Sequence, residues 1–360
     1  MSVEEKINEL WNRVQSNEES LNEKKQILNE CDELIMSSEI ESNNFLLNKL
    51  KLIMHKAGKP TDLAALTTEF ENIAKLDPTN VDVWICLAET LLHDGKADEA
   101  VVPLDFAKTL NPKAEIYILL SLCMRRKKEK DIKQSLEYAN EAVKLDMKNG
   151  KAWGNLGIAY LSGSGLPNIK KALKAFKLAI ANGESKNADT LMNTGTVCEL
   201  LLDFMSAMKY YEEAMAVTQG WAAATQSLQR LQDRITRACT RASVIEKMRP
   251  KLKSKLISRI KDKDEYVIVE IPSDKQDPSH IVLCFDKESN VVSFGVTQTM
   301  RAYLIPEKTV LKVPNPVFGQ LSMNEKNIKY APIEGPNAVK IINGATPANV
   351  PPVQISSSIA

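Results

Sequence analysis

A motif returns at intervals of about 34 residues along the first two-thirds of this chain. One copy reads Trp84-x2-Leu87-Ala88-x2-Leu91, followed by Ala100, Leu104, Ala107 and Pro112. Another reads Trp153-x2-Leu156-Gly157-x2-Tyr160 and, after a short insertion, Ala172, Phe176 and Ala179. Each copy is a pair of amphipathic helices whose small residues fall where two helices must cross closely. Such a unit cannot bury its apolar face alone, so the copies have to stack into a solenoid. A solenoid offers a concave groove suited to peptides and no obvious seat for chemistry.

The spacing is that of tetratricopeptide repeats. Residues 1–60 are helical, charged and poorly matched, and are expected to form a divergent N-terminal cap, since terminal repeats are atypical. Repeats are expected over 61–233. In the first, Leu66, Phe70 and Ile73 mark a second helix that Pro78 ends. Asp94-Gly95 makes the turn inside the Trp84 repeat. A weaker unit runs from Lys113 to Met147, with Tyr117, Leu120, Ser121 and Met124 on its first helix and Ser135, Ala139 and Ala142 on its second. A fifth has Leu191, Gly195, Ala207, Tyr211 and Ala214, and a last helix spans about Trp221 to Met248.

Near Lys263 the texture changes. Residues 265–271, 281–285, 291–296, 309–313, 328–333 and 339–342 are short β-rich runs parted by Pro, Gly, Asn and Asp. The fold class expected is therefore mainly α with a C-terminal β domain: a tetratricopeptide α-solenoid, a basic capping helix and linker over 234–263, and an OB-fold-like small β-barrel over 264–344. The Pro- and Ser-rich tail, 345–360, reads as disordered.

A formal net charge of +1 gives no global field toward nucleic acid, so charged partners must be sought locally. Cys31, Cys86, Cys123, Cys198, Cys239 and Cys284 are scattered without a C-x-x-C pair, which argues against a metal site. Neither a signal core nor a membrane span is seen, and a reducing compartment, cytoplasm or nucleus, is expected. His55, His93 and His280 stand apart in sequence and outside any nucleophile or metal motif. Gly163-Ser164-Gly165 lacks the Lys-Ser/Thr of a phosphate loop and reads as a longer turn. No enzyme, cofactor or small-molecule substrate is expected.

First helices of stacked pairs line the groove. Counting from the repeat Trp places Arg125 and Arg126, Lys151 and Asn155, and Asp189, Asn193 and Glu199 there. Guanidinium at one station and carboxylate at another suit a short peptide carrying both charges. A clamp for C-terminal acidic tails would need Lys and Asn where Gly154, Ile158, Met192 and Thr196 stand. Farther on, Arg234, Arg237, Arg241, Lys247, Arg249, Lys251, Lys253, Lys255, Arg259, Lys261 and Lys263 form a basic run with few acids until Asp262 and Asp264. It is an electrostatic footprint for RNA phosphates or a ribosomal surface, with Lys247 to Arg259 the contact residues expected. Tyr266, Phe285, Phe294, Tyr303, Phe318 and Tyr330 are few for a base-stacking barrel, so a protein-contact role suits it at least as well.

The combination resembles the tetratricopeptide repeat protein five family. The resemblance rests on Leu120-Ser121-Leu-Cys-Met-Arg125, Asn149-Gly-Lys-Ala-Trp153, Leu156 to Ser162, Asn187-Ala-Asp189, Pro314-Asn-Pro316 and Ile341-Ile-Asn-Gly344. It implies an adaptor that recognises the Met-Arg-Glu N-terminus of nascent tubulin on the ribosome and triggers decay of that mRNA through decay machinery. It also implies a second reading, a nuclear, stress-responsive scaffold for a histone acetyltransferase coactivator. By matching motif, Arg125 would meet the peptide glutamate and Asp189 a basic or amino group. The segment after Trp221, Ala222-Ala-Ala-Thr-Gln-Ser-Leu, departs from the family in lacking its proline and acid-rich composition, so the resemblance does not carry over a carboxylate contact from that helix.

Overall fold

A computed structural model describes residues 2–14, 21–36, 40, 43–163, 165–218, 220–272, 277, 279–297, 304, 306, 309–323, 326–333 and 340–342. The described helices are α1 (Val3–Val14), α2 (Leu21–Ile35), α3 (Asn44–Lys56), α4 (Leu63–Leu76), α5 (Val81–His93), α6 (Ala97–Leu110) and α7 (Ala114–Arg126). They continue with α8 (Ile132–Leu145), α9 (Gly150–Ser162), α10 (Leu166–Ala181), a 3-10 turn (Glu184–Lys186), α11 (Ala188–Leu200), α12 (Phe204–Val217), α13 (Ala222–Glu246) and α14 (Pro250–Ile257). The helix pairs stack as the repeat spacing requires.

Local chemistry sets each pair. Asparagine caps open α5, α9 and α11: the Oδ1 atoms of Asn80, Asn149 and Asn187 accept from the amides of Asp82, Ala152 and Thr190. Aspartates Asp62, Asp131 and Asp203 do the same for α4, α8 and α12, so one otherwise free amide of each first turn is satisfied. The repeat tryptophans tie the preceding turns, Trp84 Nε1 donating to the Pro78 carbonyl at 2.9 Å and Trp153 Nε1 to that of Met147 at 2.8 Å. Gly95 closes the α5–α6 turn at φ 76°, a left-handed conformation that glycine adopts without strain.

The C-terminal strands β1 (Glu265–Glu270), β2 (Ser279–Phe285), β3 (Val291–Thr297), β4 (Val310–Lys312), β5 (Gly319–Met323), β6 (Lys326–Pro332) and β7 (Lys340–Ile342) form one mixed sheet in the order β5-β6-β3-β2-β1-β4-β7. The β3–β6 pairing is parallel and the others are antiparallel. Among the described residues no ladder joins the outer strands β5 and β7, so what is observed is one mixed sheet, and the OB-fold-like barrel expected is not confirmed. Strand β5, Gly319-Gln-Leu-Ser-Met323, was not legible in the sequence because it has only one buried side chain, Leu321.

Alternation along the strands sends Val267, Val269, Leu283 and Phe285 onto α13, where they meet Leu231, Ile235, Ala238 and Ala242. The other face gathers Tyr266, Ile268, Val282, Cys284 and Phe294 into a second core. Burial on both faces explains why these runs read as continuous apolar stretches. The aromatics of the sheet are core residues: Tyr266, Phe285, Phe294 and Tyr330 are buried, and Phe318 packs edge-on against Tyr266. Tyr303 and the tail from 345 lie outside the described residues.

The expected boundary at 233/234 falls inside α13, which runs unbroken from the last repeat across the sheet. The long helix therefore belongs to both units. Tyr330 on β6 ties them further, its hydroxyl donating to the Leu202 carbonyl at 2.7 Å. Among the described residues no helix is long and apolar enough to cross a membrane, and no three His, Cys, Asp or Glu side chains cluster to hold a metal ion.

Candidate peptide groove

The first helices of successive pairs, α7, α9 and α11, line a cleft of about 570 Å³ that the start of α13 closes at one end. Six of the seven side chains expected there line it: Arg125, Arg126, Lys151, Asn155, Asp189 and Asn193. Gly154, Ile158, Met192 and Thr196 line it as well, as the position count requires, and they supply no cation for an acidic tail.

Arg125 is the centre of the site. It is 5% exposed, and its hydrogen-bond partners among the described residues are neutral. Its Nη1 donates to Ser121 Oγ at 2.7 Å and Ser135 Oγ at 3.0 Å, and its Nη2 donates to Asn155 Oδ1 at 2.8 Å. Ser121 on α7 and Ser135 on α8 are held against each other, Ser121 Oγ reaching the Ser135 carbonyl at 2.8 Å, so the guanidinium is clamped from below. The Nε of Arg125 and the Nδ2 of Asn155 are buried without an acceptor. No carboxylate pairs with Arg125 among the described residues. Burial, then the neighbouring Arg126, pull its pKa down to about 10, which still leaves it charged at neutral pH. A buried cation with neutral partners and unused donors has an unmet demand for an anion.

The rest of the cleft is graded in charge. Arg126 stands exposed at the C-terminal end of α7, next to the clamped guanidinium. Lys151 on α9 stands at the rim, where partial desolvation lowers its pKa and Glu184 from the 3-10 turn opposes that shift. Asp189 lies in the first turn of α11, far along the cleft from Arg125, with Asn193 one turn on and half-buried.

Glu199 does not belong to the groove. It faces the interior at 6% exposure, accepts from Arg234 Nη2 at 2.9 Å and takes the Tyr211 hydroxyl at 3.0 Å. Its position near the C-terminal end of α11 turns it toward α13. Arg234 correspondingly leaves the basic surface. It is 1% exposed and also donates to Ser279 Oγ at 2.6 Å, with Asp277 at 3.6 Å. Charge alone could not reveal this, because each residue reads as a surface group until its partner, distant in sequence, is known.

The remaining basic run divides between the end of α13, a turn and α14. Lys247, Arg249, Lys251 and Lys255 are exposed, and none is ion-paired among the described residues. Lys253 is half-buried, its ammonium 4.9 Å from the Phe285 ring centroid, and Arg259 is also half-buried. His55 and His93, separate in sequence, meet edge-on with centroids 5.2 Å apart, because they occupy successive first helices one repeat apart.

Residues 69–102 match the tetratricopeptide repeat family model. Mouse (Mus musculus) tetratricopeptide repeat protein 5 is 24% identical over 243 residues, 64% of this chain and 54% of its own length. The bovine (Bos taurus) protein of that name is 27% identical over 177 residues, 45% of this chain and 40% of its own. The chain is similar to tetratricopeptide repeat protein 5. It spans about half the length, or less, of these relatives. Among solved structures, the APC/C hetero-tetramer Cut9–Hcn1 is similar over 58% of this chain and 40% of that one, with 16% identity and a TM-score of 0.48.

Three parts of the groove escaped the sequence reading. Ser121 and Ser135 are visible as small helix-crossing residues, but their grip on Arg125 needs the α7–α8 contact. Glu184 enters from a 3-10 turn that the repeat pattern does not contain. Trp221 caps α13, and its place beside Asp189 follows from the stacking of α13 on α11 and α12. Its only sequence signal was a large aromatic at a helix start.

Proposed function

We propose that the repeats and the groove make this chain a protein-interaction adaptor. Its proposed ligand is a short extended peptide bearing adjacent basic and acidic residues, as in the Met-Arg-Glu N-terminus of nascent tubulin. Consecutive side chains of an extended peptide point to opposite sides. A glutamate directed at Arg125 and Asn155 would leave its neighbour directed along the cleft toward Asp189. The observation that carries this reading is Arg125, buried and clamped without a counter-anion among the described residues. An incoming carboxylate would take the unused Arg125 and Asn155 donors in a charge-assisted contact.

The exposed Lys247, Arg249, Lys251 and Lys255 would form the second contact, on ribosomal RNA or protein, in a chain at work in the cytoplasm. Each site alone would be weak, and together they would gain from effective concentration. Recruitment of mRNA-decay factors would follow from that ternary complex.

Fluorescence anisotropy with a Met-Arg-Glu-Ile peptide tests the groove. The wild type should bind it and should bind a peptide with Arg and Glu exchanged at least tenfold more weakly, a loss of about 1.4 kcal/mol. Arg125→Ala should abolish binding in a protein whose circular dichroism is unchanged. Equal affinity for both peptides, or a folded Arg125→Ala protein that binds normally, would remove the assignment.

A further inference from the structure

The second helix of each stacked pair turns away from the groove. In the Trp153 repeat that helix is α10, which gives the cleft only Phe176 among its described residues. Its sequence, Leu-Pro-Asn-Ile-Lys-Lys-Ala-Leu-Lys-Ala-Phe-Lys-Leu-Ala-Ile-Ala, holds four lysines and no acid. Lys170, Lys171, Lys174 and Lys177 are all exposed. At helical spacing they share one side of α10 and span about 10 Å. We infer that this ridge is a nucleic-acid contact that holds backbone phosphates without reading sequence. It is separate from the peptide groove and from α14, and its role rests on neither.

Three features support the contact. The corresponding helices of the neighbouring repeats pair a lysine with an acid of their own: Lys108 with Asp105 at 2.6 Å, Lys144 with Glu141 at 2.6 Å and Lys209 with Glu213 at 3.7 Å. Lys171, Lys174 and Lys177 make no ion pair among the described residues, and Lys171 lies instead over the Tyr160 ring at 5.5 Å. Second, the pattern works against the helix. Lys170 and Lys174 are like charges four residues apart, Lys174 has a lysine three residues away on either side, and no acid in the first turn of α10 meets the helix dipole. Helix stability therefore does not account for the ridge. Third, the surface suits phosphate better than an acidic protein. A protein partner draws most of its binding from apolar and aromatic anchors. On α10, Ile169 and Phe176 are buried, and Leu173, Leu178 and Ile180 are half-buried, so lysines make up the outer ridge. A phosphodiester backbone needs no such anchor, because flexible ammonium groups gain from the counterions they release. Tyr160 is already covered by Lys171, which leaves bases no stacking platform there and makes the contact indifferent to sequence.

Fluorescence anisotropy of the full chain with a labelled oligouridylate and with a DNA duplex, each across a range of salt, provides the test. Lys171→Gln/Lys174→Gln/Lys177→Gln should weaken binding at least tenfold at low salt. It should also flatten the dependence of log affinity on log salt by about 2 for the single strand, about 0.7 for each lysine neutralised. Loss on the oligouridylate alone marks a single-stranded source, and loss on both marks any phosphate backbone. The melting temperature of the triple variant should be no lower than that of the wild type, because only repulsion has been removed. Lys251→Gln/Lys255→Gln separates the ridge from α14: if that pair removes all binding and the α10 triple none, the ridge falls. An unchanged salt slope in the triple variant, or binding lost together with a lowered melting temperature, would also overturn it. Polyglutamate is the third probe. If it binds as tightly as RNA and loses as much in the triple variant, the ridge takes acidic chains in general and the nucleic-acid assignment is wrong.

Discussion

Replacing Arg234 by methionine tests whether the repeats and the sheet are joined by a buried charge cluster. The Arg234 and Glu199 side chains are 2% and 8% exposed, and their contact is 2.9 Å. Arg234 also bonds Ser279 and lies over the Phe204 ring at 5.7 Å. Methionine restores most of the volume and none of the charge. It leaves the Glu199 carboxylate buried with only the Tyr211 hydroxyl, while Asp277 keeps Arg237 at 3.6 Å. Removing one member of a buried pair costs about 3–5 kcal/mol, mostly through the stranded partner. Glu199→Gln strands less, because Arg234 retains Asp277 and Ser279, so its loss should be smaller. In the double variant no buried charge is left unpaired at this contact, and its loss should fall short of the sum of the singles by at least about 1 kcal/mol. Urea unfolding of the four proteins gives the cycle, and hydrogen exchange at α11 and β2 locates it. An Arg234→Met loss below about 1 kcal/mol with additive singles would refute the argument.

Gly157→Ala places a Cβ 2.7 Å from the Phe176 ring and should cost about 1–3 kcal/mol in thermal or urea unfolding. Gly154→Ala, whose Cβ would meet nothing nearer than 3.8 Å, should leave stability close to wild type and serves as the control. His93, held by burial and by Lys56 at a pKa of about 4, lies below the ordinary 6.5, so the unfolded chain takes up its proton first as pH falls. The stability this ring contributes is complete above about pH 6.5 and is lost as pH drops toward 4, by an amount that solvent on its exposed side keeps small. The fall in melting temperature from pH 7 to 4.5 should accordingly be shallower in His93→Gln. Lys251→Glu/Lys255→Glu should weaken binding to ribosomes, and raised salt should narrow the gap from wild type in a sedimentation assay.

The solenoid was legible because its information is local and repeated. Apolar and small residues at helical spacing, Asn and Asp before each helix and Gly95 at a turn each act within a few residues of where they stand. Groove membership followed from the same periodicity, which is why counting from a tryptophan reached Arg125, Asn155 and Asp189. It failed at Glu199 for a physical reason. Helical position says which way a side chain leaves its helix, but the last turn of α11 is covered by α13 and the sheet, and that packing supplies a buried arginine. The same long-range contact removed Arg234 from the basic run. In the sheet, β5 escaped because its edge strand buries little, and barrel closure could not be judged from strand spacing, which is indifferent to how the outer strands meet.

Glu199 has a consequence for the two-site reading. Effective concentration rewards two weak sites only when the body between them holds their separation. Asp189 and Glu199 stand on the same helix, α11, so the Asp189 end of the groove and the buried cluster are parts of one rigid element. From Glu199 the connection passes through Arg234 to Ser279 on β2, and Arg234 itself sits on α13, the helix that leads through Lys247 to the basic α14. A loosened cluster should therefore leave the affinity for a free peptide nearly intact, because no groove side chain is lost. It should lower the affinity for the same peptide displayed on a ribosome, because the two contacts would no longer be held at one distance. Arg234→Met compared on both ligands separates a defect of coupling from a defect of recognition. An equal loss on free and ribosome-displayed peptide would show that the cluster shapes the groove itself, and a loss on neither would show that the two contacts need no fixed geometry.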